Sequence, residues 1–206
     1  MAVPKTTLVL CMTLVGCGRF GFDGTSGACP SELVTKTPYA AGDGTADDPF
    51  QLCSPTQLIE IASRPDDLGS SFVLMQDLDF AGVTVAGIGK LAAPFRGSID
   101  GNGKTIANLS IMAGAGEPAA FVNAAYGARI EDLTLRDVTA VGQKHVASII
   151  GYCSASQVRG VTVTNATIRG ETAVGGLIGE AEECQVLGAS LTGVVEGTVE
   201  SIGGVV

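Results

Sequence analysis

The chain has little positive charge, few aromatic residues and a single histidine. Its 206 residues carry 12 Lys and Arg against 21 Asp and Glu, which gives a net charge of −9, and the basic residues are scattered. Nucleic acids and anionic membrane surfaces both require clustered basic side chains, so neither is expected as a partner. One histidine and no paired Cys-x-x-Cys spacing disfavour a metal site. Without a phosphate-cradling loop, no cofactor is expected either.

Amphipathic helical stretches are also scarce, whereas glycine is abundant. In the second half of the chain, every window of helical length that has apolar residues at helical spacing is broken by a glycine, and there are 29 glycines in all. Apolar and polar residues alternate instead, as in Leu133-Thr-Leu-Arg136 and Val161-Thr-Val-Thr164. This alternation predicts strands, and the glycines between them predict turns.

A fixed step of 28 residues connects these strands. Repeat units start at Pro118, Val146, Val174 and Ile202. The other columns are Ile130, Val158 and Val186; Leu133, Val161 and Ala189; Leu135, Val163 and Leu191; Val138, Ala166 and Val194; and the polar set Asp137, Asn165 and Gly193. A repeat of this length must stack on its own copies to bury its apolar face. We therefore predict an all-β fold, a right-handed parallel β-helix with 28-residue coils, whose last copy is frayed or turned outward.

The N-terminus has the features of an export signal. After Lys5, an apolar stretch too short to span a bilayer runs into Leu14-Val-Gly-Cys17, which resembles the bacterial lipobox. The resemblance implies acylation of Cys17 and, since Gly18 follows, an outer-membrane lipoprotein held by its lipid anchor. An ordinary secretory signal is the alternative. We predict a signal peptide over residues 1–16, a tether over 17–38, an N-terminal cap with the first coils over 39–112, and repeats over 113–206.

Four cysteines remain when Cys11 and Cys17 are set aside. An even number in an exported protein permits two disulfides, with three possible connectivities. The favoured pairing is Cys29–Cys53, which ties the tether to the cap, and Cys153–Cys184, which are one coil plus three residues apart.

A short helix is expected in the cap region. Ser54 is a suitable N-cap, Pro55 suits the first helical position, and Gln57 completes a capping box. An apolar face follows, and Pro65 ends the helix.

From about residue 41 onwards the chain resembles secreted bacterial proteins with GLUG motif repeats. The resemblance depends on Gly42-Asp-Gly-Thr, Gln57-Leu-Ile-Glu-Ile-Ala, Pro94-Phe-Arg-Gly-Ser-Ile-Asp-Gly-Asn-Gly and Val174-Gly-Gly-Leu-Ile-Gly. It implies a right-handed β-helix with a helix-containing N-terminal cap, found in surface adhesins, and it brings no catalytic residues. The glycines assigned to the repeat are Gly151, Gly175, Gly176, Gly179, Gly203 and Gly204.

Several polar residues are candidates for a metal-binding or catalytic site. Asp77, Asp79 and Asp100 fit either turns or a Ca²⁺ or sugar-hydrolysing site, and turns are favoured. His145, in a polar segment, is interpreted as a solvated loop residue. The nearest candidates for an enzymatic cluster are Asp132, Asp137 and Arg159. No column of charges repeats in a way that would favour a catalytic cleft.

The favoured function is a non-enzymatic, surface-anchored adhesion or interaction module that binds a polysaccharide or a surface protein. A carbohydrate-active lyase or hydrolase and a purely structural envelope protein are the alternatives. The chain stops just inside a fourth repeat, and solenoids require end caps. The sequence therefore predicts either a fragment of a longer protein or self-association through an open C-terminal coil.

Overall fold

A computed structural model describes residues 29–114 and 116–204, which leaves Cys17 and the predicted signal peptide outside the described residues. The helices are α1 (Ser31–Val34) and α2 (Pro55–Ser63), followed by a 3₁₀ turn at Pro65–Asp67. The strands are β1 (Phe50–Leu52), β2 (Ser71–Leu74), β3 (Leu78–Asp79), β4 (Thr84–Val85), β5 (Ser98–Asp100), β6 (Thr105–Ala107), β7 (Ser110–Met112), β8 (Val122–Tyr126), β9 (Arg129–Glu131), β10 (Thr134–Arg136), β11 (Thr139–Val141), β12 (Lys144–Val146), β13 (Ile150–Ser154), β14 (Gln157–Arg159), β15 (Thr162–Gly175), β16 (Ile178–Glu182), β17 (Gln185–Leu187) and β18 (Ser190–Gly203).

The strands form three parallel sheets, each made from equivalent strands of successive coils. The first sheet has the order β1-β2-β5-β9-β14-β17. The second has the order β3-β6-β10-β15-β11-β7-β4, with β12 and β18 also paired to β15, and the third has the order β16-β13-β8. This arrangement confirms the predicted parallel β-solenoid, since each strand pairs with its equivalent one coil away.

The core is a set of stacked apolar columns inside the coils. Ile99, Ile130 and Val158 follow one another in the first sheet and are buried. Leu135 and Val163 form an equivalent column in the second sheet. Because side chains alternate between the two faces of a strand, the apolar residues of these columns reach the interior, whereas their polar neighbours face solvent.

Corner residues with positive φ also stack from coil to coil. Asp137 and Asn165 both have a φ of 55°, and Asn165 Nδ2 donates a hydrogen bond of 2.6 Å to Asp137 Oδ1. Asp132, with a φ of 50°, lies over Gly160 at the preceding corner. Asn and Asp tolerate the left-handed region better than most residues, which explains why a polar ladder marks these corners.

The last coil departs from the constant 28-residue step. A register shift after Val163 pairs Ala166 with Gly193 and Ile168 with Val195. The predicted columns that place Val194 under Ala166, and Gly193 under Asn165, are therefore wrong. Val194 is 50% exposed as a result. The prediction of a frayed last copy is also wrong, because β18 pairs with β15 on both sides of the shift and the 28-residue step returns before its end.

The cap is built around α2. Ser54 Oγ accepts the Gln57 backbone N–H at 3.4 Å, as the capping box requires, but Gln57 Oε1 accepts from Cys53 N at 2.6 Å rather than from Ser54 N. Gln57 Nε2 also donates to the carbonyls of Leu33 and Lys36, each at 2.7 Å. Residues 29–38 fall within the predicted tether, yet these bonds hold part of them against the cap. The tether prediction is wrong for this segment.

Several large apolar side chains of the last coil are exposed, including Leu187 at 55% and Ile202 at 53%. Self-association through this coil stays a prediction.

Among the described residues, the helices are all too short to cross a bilayer.

Candidate functional site

A concavity lies on the flank of the solenoid, where the cap meets the first sheet. We call it the lateral groove; its volume is about 440 Å³, and its lining includes Ser71, Arg96, Asp100, Gly127, Arg129 and Glu131. The outward residues of β5 and β9 form one side, because the central residue of each strand is buried. The strand register places Asp100 beside Glu131.

Backbone hydrogen bonds fix the arginines of the lateral groove. Arg96 N and Gly97 N both donate to the Leu68 carbonyl, at 2.7 and 3.1 Å, and Arg129 N donates to the Gly97 carbonyl at 3.0 Å. A Cβ at position 97 would lie 1.8 Å from the Ser70 carbonyl oxygen. Only glycine permits this close approach of two coils, so the position of Arg96 depends on Gly97.

An exposed aromatic ring adjoins the lateral groove. Tyr126, at the end of β8, is 51% exposed. A bridge between Phe95 and Ala125 brings Arg96 next to it, and the Arg96 guanidinium carbon lies 4.6 Å from the ring centroid. This cation–π contact restricts the conformations of the Arg96 and Tyr126 side chains, and it removes little of either side chain from water.

Arg96, Arg129 and Arg159 converge here, although the basic residues are scattered along the sequence. Arg159 Nη2 lies 3.1 Å from Glu131 Oε2. Arg96 and Arg129 make no ion pair within the part of the chain that the structure describes. The surface therefore presents guanidinium donors and carboxylate acceptors beside an aromatic ring.

Sequence reasoning missed this cluster because it followed a 28-residue step. Asp100 and Glu131 are 31 residues apart, since the earlier coils differ in length. The matching signal is an isoleucine between polar residues, in Ser98-Ile-Asp100 and again in Arg129-Ile-Glu131. Aligning these triplets without a fixed period would have found the pair.

Asp79 and Asp100 behave as turn residues, whereas Asp77 bonds to the next coil. Each accepts a backbone N–H: Asp77 from Thr105, Asp79 from Ala81 and Asp100 from Asn102, at 2.7, 2.9 and 2.7 Å. The Asn108 amide, donating to Asp79 at 2.7 Å, is the main reason that the pKa of Asp79 lies below its usual value. In residues 29–114 and 116–204, no three His, Cys, Asp or Glu side chains are grouped as metal ligands.

The residues named for an enzymatic cluster do not form one site. Asp132 and Asp137 occupy two different corners, and Asp137 is bonded to Asn165. Arg159 instead pairs with Glu131 at the lateral groove.

His145 is not the solvated loop residue that its polar neighbours indicate. It lies in β12, is 5% exposed, and its Nε2 is 2.6 Å from Glu180 Oε2. Burial lowers the pKa of His145, although Glu180 opposes this effect. The buried Nδ1 has no hydrogen-bond partner. Protonation would place an N–H there with no acceptor, so the neutral ring, donating from Nε2 to Glu180, is the stable form.

We expect His145 to make the fold less stable in mild acid. A lowered folded-state pKa means that the unfolded chain binds the proton first, so the free energy of unfolding decreases as the pH falls below about 6.5. Urea denaturation between about pH 7.5 and pH 5 measures the slope. His145→Asn, which suits the positive φ of 53°, should flatten it.

Equal slopes for the wild type and His145→Asn would contradict this assignment. Asp43 and Asp79, whose pKa values are lowered by hydrogen bonds from Thr45 and Asn108 respectively, do not interfere. The contribution of these two carboxylates to the free energy of unfolding is lost only as the pH falls through values below 3.8.

Both favoured disulfides are present. Cys29 and Cys53 join the start of the described chain to the residue before Ser54, with Cα atoms 5.9 Å apart. Cys153 and Cys184 join adjacent coils, with Cα atoms 6.3 Å apart. Two disulfides are typical of proteins that fold in an oxidising compartment.

The repeat glycines allow backbone segments to approach one another closely. A Cβ at Gly175 would lie 1.7 Å from the Ile178 carbonyl oxygen, and one at Gly176 would lie 2.0 Å from that of Gly204. Gly151 and Gly179 are also crowded by backbone oxygens. Gly203, at the end of β18, accepts a hydrogen bond from Gly176 N. None of these glycines contributes to the lateral groove.

Comparison with known proteins supports the fold and leaves the activity open. The chain is 32% identical over 122 residues to halomucin of Haloquadratum walsbyi, a match that covers 56% of this chain and 1% of halomucin. It is similar in structure to a Bacteroides ovatus protein proposed to be an immunoglobulin A1 protease, with a TM-score of 0.61 and 18% identity. That match covers 82% of this chain and 64% of the other. No family model matches the chain. The structural likeness agrees with a parallel β-solenoid.

Proposed function

We propose that this protein is a surface-exposed, non-enzymatic adhesion module that binds a polysaccharide through the lateral groove. The observation that carries the proposal is the convergence of Tyr126, Arg96 and Arg129 on one exposed flank. A tyrosine ring offers an apolar face and a polar tip, which suits the C–H and hydroxyl groups of a sugar. Arginine donors and the Asp100 and Glu131 carboxylates supply directional hydrogen bonds to hydroxyls.

A rigid solenoid suits adhesion because its flank does not need to reorganise on binding. The groove backbone is fixed by bonds between coils, such as that from Arg129 N to the Gly97 carbonyl. Ordering costs on binding are therefore small, which favours affinity from a shallow site. The part of halomucin that is similar to this chain makes up 1% of halomucin, which supports a modular role.

The binding test uses a glycan array followed by calorimetry on the best ligand. We expect Arg129→Ala and Tyr126→Ala each to weaken binding by about tenfold, since each removes a direct contact of roughly 1–2 kcal/mol. Arg136→Ala is the matched control, because Arg136 is similarly exposed but lies on the second sheet. Unchanged affinity in the two groove variants would overturn the assignment of the site.

A carbohydrate-active enzyme is the second candidate, favoured by the adjacent carboxylates Asp100 and Glu131. Paired carboxylates are the usual catalytic groups of glycosidases. Mass spectrometry of a bound polysaccharide after long incubation separates the two candidates. An adhesion module leaves the chain length unchanged. Shortened products that disappear in both Asp100→Asn and Glu131→Gln would establish the enzyme instead.

The anchor that we propose is an acyl group on Cys17, which would hold the protein at the outer membrane as a lipoprotein. Its support is the Leu14-Val-Gly-Cys17 sequence together with the two disulfides, which require export. Tagged protein on intact cells should be digested by added protease, and Cys17→Ala should release it from the membrane fraction. Protection until the outer membrane is opened would favour the structural envelope role.

A further inference from the structure

A second concavity lies in the cap region, between α2 and the segment 84–93. We call it the apolar cleft; its volume is about 480 Å³, and its lining includes Leu58, Ala62, Val85, Lys90 and Phe121. Leu58 and Phe121 form a buried floor, whereas Ala62 and Val85 lie nearer the mouth. The volume is within the roughly 300–1,000 Å³ of small-molecule sites.

The wall opposite α2 is fixed by hydrogen bonds. Ile88 N donates to the Phe121 carbonyl at 3.0 Å, and Asn123 N donates to the Ile88 carbonyl at 2.7 Å. The Asn123 amide also donates to the Ala86 carbonyl. Gly87 has a φ of 80°, and a Cβ there would lie 2.3 Å from a carbonyl oxygen. The wall therefore approaches the coil as closely as glycine allows, and the cleft is preformed.

The charge of the apolar cleft is concentrated at one point. Lys90 is the one charged side chain of its lining, it is exposed, and it has no ion pair among the described residues. The other polar side chains of the lining are the Ser63 and Thr84 hydroxyls and the Asn123 amide, and the amide is already used in bonds to Ala86 and Ala120. The cleft thus combines an apolar interior with a free cation at its rim.

We propose that the apolar cleft binds a single-chain amphiphile with an anionic head group. The acyl chain would lie against Leu58 and Phe121, where it is removed from water, and the head group would contact Lys90. Removal of the tail methylenes from water makes the tail the main source of affinity. Lys90 would select for a carboxylate or phosphate over an alcohol, because it is the one charged side chain of the lining and its charge is complementary to an anion. This site is independent of the lateral groove.

The test is displacement of a fluorescent long-chain fatty acid from the delipidated full chain. Cys17→Ala is included as a background, so that no acyl group of the protein itself competes. Hexadecanoate and a lysophosphatidate should displace the probe, and 1-hexadecanol should be at least about fivefold weaker. Lys90→Gln should remove that difference. If the lysophosphatidate displaces the probe at a much lower concentration than hexadecanoate does, a membrane-lipid head group is the preferred source; if hexadecanoate competes equally, a free fatty acid suffices.

Matched tryptophan variants test the location. Ala62→Trp and Val85→Trp fill the cleft from its two walls and should lower the affinity for the probe at least tenfold. Thr56→Trp places the same ring on an exposed position of α2 away from the lining and should bind like the parent. Thermal melting identifies any variant that is unfolded. Absence of saturable binding in the parent, or equal binding by all three folded variants, would overturn the proposal.

Discussion

Replacing Phe72 with alanine is expected to lower the free energy of unfolding by about 3–5 kcal/mol. Phe72 is 1% exposed and joins the cap to the coils: its ring centroid lies 5.4 Å from that of Tyr39, 5.6 Å from that of Phe50 and 6.2 Å from that of Phe95. Removing it leaves a cavity among rings that cannot all move inward. Urea denaturation followed by circular dichroism measures the loss.

Tyr126→Ala is the matched control for this change. It removes a ring of similar size from an exposed position, where the main loss is the cation–π contact with Arg96. That contact contributes about 0.5–1 kcal/mol. Similar losses in the two variants would show that the aromatic cluster does not connect the cap with the solenoid.

Removing the Cys153–Cys184 disulfide is expected to cost about 2–4 kcal/mol. The bond closes a loop with a sequence separation of 31 and joins two adjacent coils. Without it the unfolded chain gains conformational entropy, and the last coil loses a covalent attachment to the rest. The double variant Cys153→Ala/Cys184→Ala should unfold at lower urea concentration and be cleaved by protease first within residues 185–204.

The parallel control is Cys29→Ala/Cys53→Ala, which leaves the last coil attached. It should lower stability too, but protease should then act near residues 29–38. A denaturation midpoint for Cys153→Ala/Cys184→Ala equal to that of the oxidised parent would contradict the prediction. Cys153 is fully buried, so comparison with the reduced parent separates loss of the bond from loss of side-chain packing.

The parts of the fold that depend on local pattern could be predicted. Strand alternation and the repeat step placed Ile130 and Val158 in one column, because a parallel solenoid pairs each residue with its equivalent. The capping residues Ser54 and Pro55 located α2, since helix ends depend on nearby residues. The favoured Cys153–Cys184 pairing followed from the same step.

The parts of the fold that depend on the length of each coil could not be predicted from the sequence. A one-residue shift after Val163 moved Val194 out of its column. Its sign in the sequence is Glu196, which a constant step would place under the buried Ile168, but this residue alone does not locate the shift. His145 lies among polar neighbours, and only the adjacent coil, which brings Glu180, makes it buried and paired.

By itself, then, the sequence determined the solenoid and its helical cap, because these follow from periodicity and from short-range chemistry, and it favoured one of three possible cysteine pairings. Tertiary structure alone decided the lateral groove and the apolar cleft. Arg96, Tyr126 and Arg129 come together only through coils of unequal length, and the cleft exists only where α2 faces the segment 84–93. Contacts between distant residues depend on the exact stacking of the coils, which a repeat pattern specifies only on average.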